Sequence, residues 1–169
     1  MIPRISLIHC QRLIEDISKI NENDAENIMP YVLRSAIILY SAEMEDCLKR
    51  LVTIALKHYP FVIKGISVDQ IREFLKNFNN KSRNPSFTDI QNLIKIFDVN
   101  LNDTLQPEEK QFYSDFIGKR NKIAHNPRIS ITFSFDDFKK AVVLGETILN
   151  KISESLFLKV TEHIKEEFL

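Results

Sequence analysis

The residues with the clearest capacity for chemistry lie in the stretch GKRNKIAHNP, residues 118–127. Within six positions it holds an arginine (Arg120), an amide (Asn121) and a histidine (His125). A histidine can transfer protons, and an arginine can stabilise charge on a phosphate. Attack on a phosphodiester by a neighbouring hydroxyl requires both. Phosphodiester cleavage is therefore one candidate function, although a histidine at the end of a helix can equally be a simple cap.

The motif is predicted to lie on a helix from about Glu108 to His125. The helix should end there because the residue before Pro127 is pushed out of helical geometry. A helical wheel separates two faces. The apolar face holds Phe112, Tyr113, Phe116, Ile117, Ile123 and Ala124. The polar face holds Gln111, Ser114, Gly118, Asn121, Lys122 and His125.

Arg120 falls in the middle of the apolar face. A guanidinium there is costly unless it is paired or reaches out past the helix end. We expect its partner to be an acid on the long second helix, with Glu45 favoured over Glu43. Glu45 could instead pair locally with Lys49, which lies four residues further along the same helix.

The rest of the chain predicts an all-α bundle of about five to six helices in a single domain, residues 1–169. Apolar residues at helical spacing indicate helices over Ile5–Ile20 and Met29–Tyr59, separated by the acidic linker NENDAEN. Further helices are expected to begin near Val68, after Ser67 as N-cap, at Thr88 as N-cap, and after Ser134 as N-cap. The last of these could run nearly to the C-terminus.

Composition restricts the functions and the cellular location that we expect for this chain. Lys+Arg and Asp+Glu number 23 each, so binding to nucleic acid would need a local patch or the combined patches of two chains. Cys10 and Cys47 show neither a disulfide framework nor a zinc pattern and are expected to be reduced. The N-terminus has no apolar signal core, and the run AIILY is too short to span a membrane. A cytoplasmic protein without membrane association is expected.

One stretch resembles a calcium-binding loop. Asp98, Asn100, Asn102, Leu105 and Glu109 occupy positions 1, 3, 5, 8 and 12 of an EF-hand loop. Asp103 stands where that loop needs glycine, Pro107 follows, and no second loop is available for pairing. Turn chemistry alone accounts for such residues between helices, so no metal site is predicted.

The sequence RNKIAH resembles the Arg-(x)4-His motif of HEPN domains, with Asn121 as the polar residue that this family favours after the arginine. The helix RSAIILYSAEMEDCLKRLV resembles the HEPN helix that often bears an acidic residue, best matched by Glu45. The likeness extends from about residue 30 to 157.

This resemblance implies a metal-independent endoribonuclease without cofactors, acting as a toxin or phage-defence effector. Arg120 and His125 would be the catalytic pair, and Asn121 would orient the phosphate or the histidine. Lys119, Lys122 and Arg128 would contact RNA, although lysines can equally be a solvated face. The resemblance also implies a homodimer and a cognate antitoxin protein as partners. The alternative is a non-catalytic HEPN module that binds a partner protein or a nucleotide.

Gly118 suggests where two copies would meet. A glycine costs a helix interior about 1 kcal/mol relative to alanine, so its presence suggests a reason. It shares the polar face with Asn121, Lys122 and His125. A missing side chain there would let a second motif helix approach closely, and the alternative is a tolerated glycine or a slight kink.

Overall fold

Helices make up nearly all of the described chain. The computed structural model describes residues 4–20, 22–58, 68–81, 85–125 and 133–168. Six α-helices and no strand lie in these ranges, as the sequence predicts. They are α1 (Ile8–Ile17), α2 (Glu22–His58), α3 (Val68–Lys81), α4 (Phe87–Ile94), α5 (Pro107–His125) and α6 (Phe135–Phe168). A short 3₁₀ turn, Lys95–Phe97, follows α4.

One hydrophobic core joins all six helices. Its largest fully buried side chains are Tyr40, Tyr113, Phe97, Phe116 and Phe138. Aromatic rings meet edge to face at its centre, where α5 packs on α2: the centroid of Tyr40 lies 5.4 Å from that of Phe116 and 6.5 Å from that of Tyr113. Because these rings are fully buried, they determine how α5 sits against the rest of the bundle.

The contacts between helices determine their relative directions. On α6, Gly145 lies against Tyr40 of α2, and further along both helices Leu51 and Phe157 line one cavity, so α2 and α6 run in the same direction. α5 runs the opposite way to α6, because Phe112 lies beneath Lys140 whereas Phe116 lies against Phe133, just before α6 begins. α5 is therefore antiparallel to α2 as well.

Carboxylates from two neighbouring helices bind the N-terminus of α1. Glu43 of α2 accepts hydrogen bonds from the backbone N–H groups of His9 and Cys10, both at 3.0 Å. Glu146 of α6 accepts one from the N–H of Leu7 at 2.7 Å. The first N–H groups of a helix have no partner within it, so these side chains act as caps supplied from outside α1. Burial, together with the adjacent Glu43, raises the pKa of the Cys10 thiol.

The helix starts show where the sequence prediction was right and where it was wrong. The linker expected at residues 21–27 is helical from Glu22, and α2 continues through Pro30. Acidic residues are stabilised at the positive end of the helix dipole, so this stretch extends α2 instead of interrupting it. Ser134 caps α6 as predicted, accepting from the N–H of Asp137 at 3.1 Å. Ser67 lies outside the described residues.

Two other boundaries differ from the prediction. The cap of α4 is Ser86 and not Thr88. Ser86 accepts from the N–H of Asp89 at 3.2 Å, and Asp89 accepts in return from the N–H of Ser86 at 3.1 Å. This reciprocal capping box satisfies two backbone donors at once, which Thr88 could not do from inside the first turn. α1 begins at Ile8 rather than Ile5, because the backbone of Leu7, its N-cap, is not helical.

The loop that resembles an EF-hand uses its polar side chains for turns and caps. Asp98 accepts from Lys159 Nζ at 2.9 Å, which holds the pKa of this carboxyl below its usual range. Asn100 accepts from the N–H of Asn102 at 2.8 Å, and Glu109 accepts from the N–H just before α5 at 2.8 Å. Among the described side chains, no three from His, Cys, Asp and Glu lie close enough together to hold a metal ion.

Candidate active site

α5 presents the motif as the wheel predicts. Its apolar face is buried, with Tyr113, Phe116, Ile117 and Ile123 each at most 4% exposed. Asn121, Lys122 and His125 are exposed on the other side, and His125 is the last residue of the helix. The buried face fixes the helix in the bundle, so the exposed residues are presented to solvent from a rigid support.

Arg120 lies between these two environments. It is half-buried, and its Nε is completely enclosed without a hydrogen-bond partner. Its Nη1 donates to Asn121 Oδ1 at 3.4 Å, which is a long hydrogen bond. This contact supplies the guanidinium with no negative charge. Within the described part of the chain, a cation is therefore held in place with its charge unmatched.

The expected pairing of Arg120 with Glu45 or Glu43 is wrong. Glu45 pairs with Lys49 at 2.5 Å, the local arrangement that the sequence left open, and Glu43 caps α1. α5 is antiparallel to α2, and Tyr40 contacts Tyr113 and Phe116 of α5. Arg120 follows these two rings by four to seven residues, and Glu45 follows Tyr40 by five residues. Because the helices are antiparallel, Arg120 and Glu45 lie on opposite sides of this contact. At 1.5 Å per residue, this separates Arg120 and Glu45 by roughly 15 Å along the bundle.

Asn121 lies between Arg120 and His125 around the helix. It lies one turn before His125 and about 40° from it around the helix, whereas Arg120 lies about 140° from His125. Arg120 and His125 therefore do not share a helical face, and Arg120 contacts Asn121, which lies nearer to His125 around the helix. The three side chains bring a cation, an amide and an imidazole to the C-terminal end of α5.

A groove of about 460 Å³ borders the motif on the α5 surface. Gly118, Lys119 and Lys122 line one side, with Asp115 and Asp137 also present. A methyl group added at Gly118 would meet no atom within 4 Å, so this position faces open space. Two of the three predicted RNA-binding residues thus lie at the groove, and Arg128 lies outside the described residues.

Comparison with known families identifies the family to which the chain belongs. Residues 5–157 match the family model described as RiboL-PSP-HEPN. The chain belongs to the HEPN family. The match spans α1 to α5 and most of α6, so the HEPN assignment covers the core as well as the motif. Neither the curated proteins nor the solved structures compared with this HEPN chain contain a match.

Sequence reasoning missed the role of Glu43 in this HEPN chain. It was considered only as a partner for Arg120, yet it binds α1 to α2. Its position beside the apolar stripe of α2 was the available signal, because a carboxylate there lies near whatever packs on that stripe. None of the helices in the described ranges has the length and apolar composition needed to cross a membrane.

Proposed function

We propose that this HEPN protein is a metal-independent endoribonuclease that cleaves single-stranded RNA and acts as a toxin or phage-defence effector. Membership of a family generally associated with ribonucleases supports this proposal. So does the grouping of Arg120, Asn121 and His125 at one end of α5. A cognate antitoxin protein as partner belongs to the same proposal.

The observation that carries the proposal is that Arg120 has no carboxylate partner among the described residues. A half-buried guanidinium without a carboxylate is costly, and an enclosed N–H without a partner adds to that cost. A phosphate would supply the missing charge and accept the free N–H groups, and guanidinium groups bind phosphate well. An arginine with a purely structural role would be expected to form an ion pair with a carboxylate.

The roles proposed for His125 and Asn121 follow from their positions on the same helix as Arg120. The 2′-hydroxyl of the RNA attacks the adjacent phosphorus, the bond to the 5′-oxygen breaks, and a 2′,3′-cyclic phosphate forms. His125 takes the proton from the 2′-hydroxyl or gives one to the leaving 5′-oxygen. Arg120 stabilises the charge on the phosphate, and Asn121 orients the phosphate or the histidine.

The groove beside the motif suits an RNA backbone. Lys119 and Lys122 supply positive charge at its edge, and Arg128 follows three residues after the helix ends. Gly118 leaves open space where a side chain would stand, which permits a close approach of the sugar–phosphate chain. Asp115 and Asp137 line the same groove and offset the two lysines, so a net positive surface beside the motif depends on Arg120 and Arg128.

The test is incubation of the purified protein with end-labelled single-stranded RNA in EDTA, with single-stranded DNA of the same sequence as a control. Cleavage of the RNA alone, leaving 2′,3′-cyclic phosphate ends, is expected. Loss of cleavage in chelator, or cleavage of the DNA, would refute the mechanism. Binding of RNA or a nucleotide without cleavage would favour the alternative, a non-catalytic HEPN module.

A further inference from the structure

The groove beside the motif, called the α5 groove below, carries negative and positive charge in equal number. Lys119 and Lys122 line it, and so do Asp115 and Asp137. A phosphate is better placed at Arg120, which has no carboxylate partner among the described residues. The α5 groove is therefore suited to a neutral, polar part of the substrate, next to the phosphate.

The α5 groove has room for one nucleobase with its ribose. Its volume of about 460 Å³ lies within the range of roughly 300–1,000 Å³ that is usual for small-molecule sites. Gly118 contributes to this room, because a Cβ at that position would meet no atom within 4 Å.

The aromatic side chains of the α5 groove are already covered by other groups. Lys140 Nζ lies over the ring of Phe112, 4.5 Å from its centroid. The ring of Phe116 lies nearly parallel to that of Phe112, with the centroids 6.3 Å apart. A base in the groove would therefore be recognised through hydrogen bonds to its edge more than through stacking.

The carboxylate of Asp115 is placed to accept such hydrogen bonds. Its Oδ1 accepts from Gln111 Nε2 at 3.0 Å, which uses one of about four lone-pair positions on the two oxygens. The side chain is exposed, so the other positions are accessible to a ligand. Asp137 differs, because its Oδ2 accepts from the N–H of Ser134 at 2.9 Å and so helps to cap α6.

Guanine is the RNA base whose edge fits a carboxylate best. Its N1–H and its 2-amino group lie side by side, so both can donate to the two oxygens of one carboxylate. Its O6, beside them, can accept from a lysine such as Lys122. Uracil has a single N–H between two carbonyl groups, and cytosine and adenine each have a single amino group beside a ring nitrogen that only accepts.

We propose that the α5 groove binds a guanine base of the RNA, and that Asp115 determines this preference by accepting from N1–H and the 2-amino group. The inference rests on the proposed function, because it takes single-stranded RNA as the ligand. Arg120 follows Asp115 by five residues, which is roughly 7.5 Å along α5. A single nucleotide spans such a distance between its phosphate and the edge of its base. The RNA is therefore cut at a phosphate next to guanosine.

The test measures binding of labelled oligouridylates by fluorescence anisotropy in EDTA, with the His125→Ala variant so that the RNA stays intact. One central uridine is replaced by guanosine, adenosine or cytidine. The guanosine probe should bind at least about fivefold more tightly than the others, the discrimination expected of one good bidentate pair.

Two modified bases show which edge of guanine is bound. Inosine lacks the 2-amino group and should lose most of the preference. 7-Deazaguanosine keeps N1–H and the 2-amino group but lacks the acceptor N7, so it should retain the preference. The reverse result would mean that a lysine binds N7 and O6, and would overturn the role of Asp115.

Three variants, each combined with His125→Ala, locate the site on the protein. Asp115→Asn replaces a carboxylate oxygen by a donor and should bind all four probes with similar affinity. Asp136→Asn is the matched control, because it removes the same charge from an exposed residue outside the groove lining, and it should keep the preference. Gly118→Leu should abolish the preference by filling the groove, with circular dichroism showing a folded helical protein. An Asp115→Asn or Gly118→Leu variant that still prefers guanosine overturns the inference.

Cleavage by the wild type separates this inference from the proposed function. Cuts next to guanosine in RNA of mixed sequence support both. Cuts without regard to guanosine, with equal binding of the four probes, overturn the base preference and leave the ribonuclease. Preferred binding of the guanosine probe without any cleavage refutes the proposed activity and leaves the base site. Failure of every probe to bind overturns the base site.

Discussion

Replacing Gly145 by alanine should disturb the packing that holds the motif helix. A Cβ at this position would lie 2.5 Å from Tyr40 Oη and 2.8 Å from Met44 Sδ. Tyr40 cannot move aside easily, because it is fully buried and its ring packs on Phe116 of α5. Overpacking of this kind costs about 1–3 kcal/mol.

Gly118→Ala is the matched control. Both glycines lie inside helices, so both substitutions gain about 1 kcal/mol of helix propensity. A Cβ added at Gly118 would meet no atom within 4 Å, so the full gain in helix propensity should appear as added stability. The difference in unfolding free energy between the two variants therefore isolates the overpacking, and Gly145→Ala should be the less stable by about 1–3 kcal/mol.

Urea unfolding followed by circular dichroism, at one protein concentration for all variants, measures this difference. Tyr40→Phe removes the atom in the closest contact and should reduce the cost of Gly145→Ala by at least about 1 kcal/mol in a double-mutant cycle. The cycle includes Tyr40→Phe alone, so any cost of losing the Tyr40 hydroxyl, which lies close to that of Tyr113, is subtracted. Equal stability of the two alanine variants, or a cycle without coupling, would refute the reasoning.

Three further outcomes follow from the site and its supports. His125→Ala should lower the rate of RNA cleavage by about 100-fold or more, in single-turnover assays, with stability unchanged because the side chain is exposed. A fully active variant would exclude His125 from proton transfer. Arg120→Met should abolish RNA binding, measured by filter binding, yet leave unfolding free energy unchanged or raise it by about 1 kcal/mol, because an unmatched charge is removed. A large loss of stability would instead indicate a structural partner. Glu43→Ala should cost about 1–3 kcal/mol in urea unfolding by leaving backbone N–H groups of α1 unpaired, whereas Glu45→Ala should cost no more than about 0.5 kcal/mol. Equal effects of the two would contradict the capping role.

Local signals in the sequence were sufficient for the all-α class and for the family. Helical periodicity and the capping residue Ser134 predicted the all-α class and the start of α6. The Arg120–His125 motif, in its place before the final helix, predicted the HEPN family. These features depend on residues within a few turns of one another, so propensity and spacing are enough to read them.

Tertiary structure decided which side chains meet. Glu45, favoured as the partner of Arg120, lies too far along α2, because the antiparallel register of α5 places the arginine level with residues 33–36 of α2. Of the two helix glycines considered, Gly118 drew attention from the sequence. Only Gly145 is packed against a neighbour. Helical wheels give the face on which a residue lies. The axial offset between two helices is set by the interlocking of buried rings such as Tyr40 and Phe116, which no single-helix pattern contains.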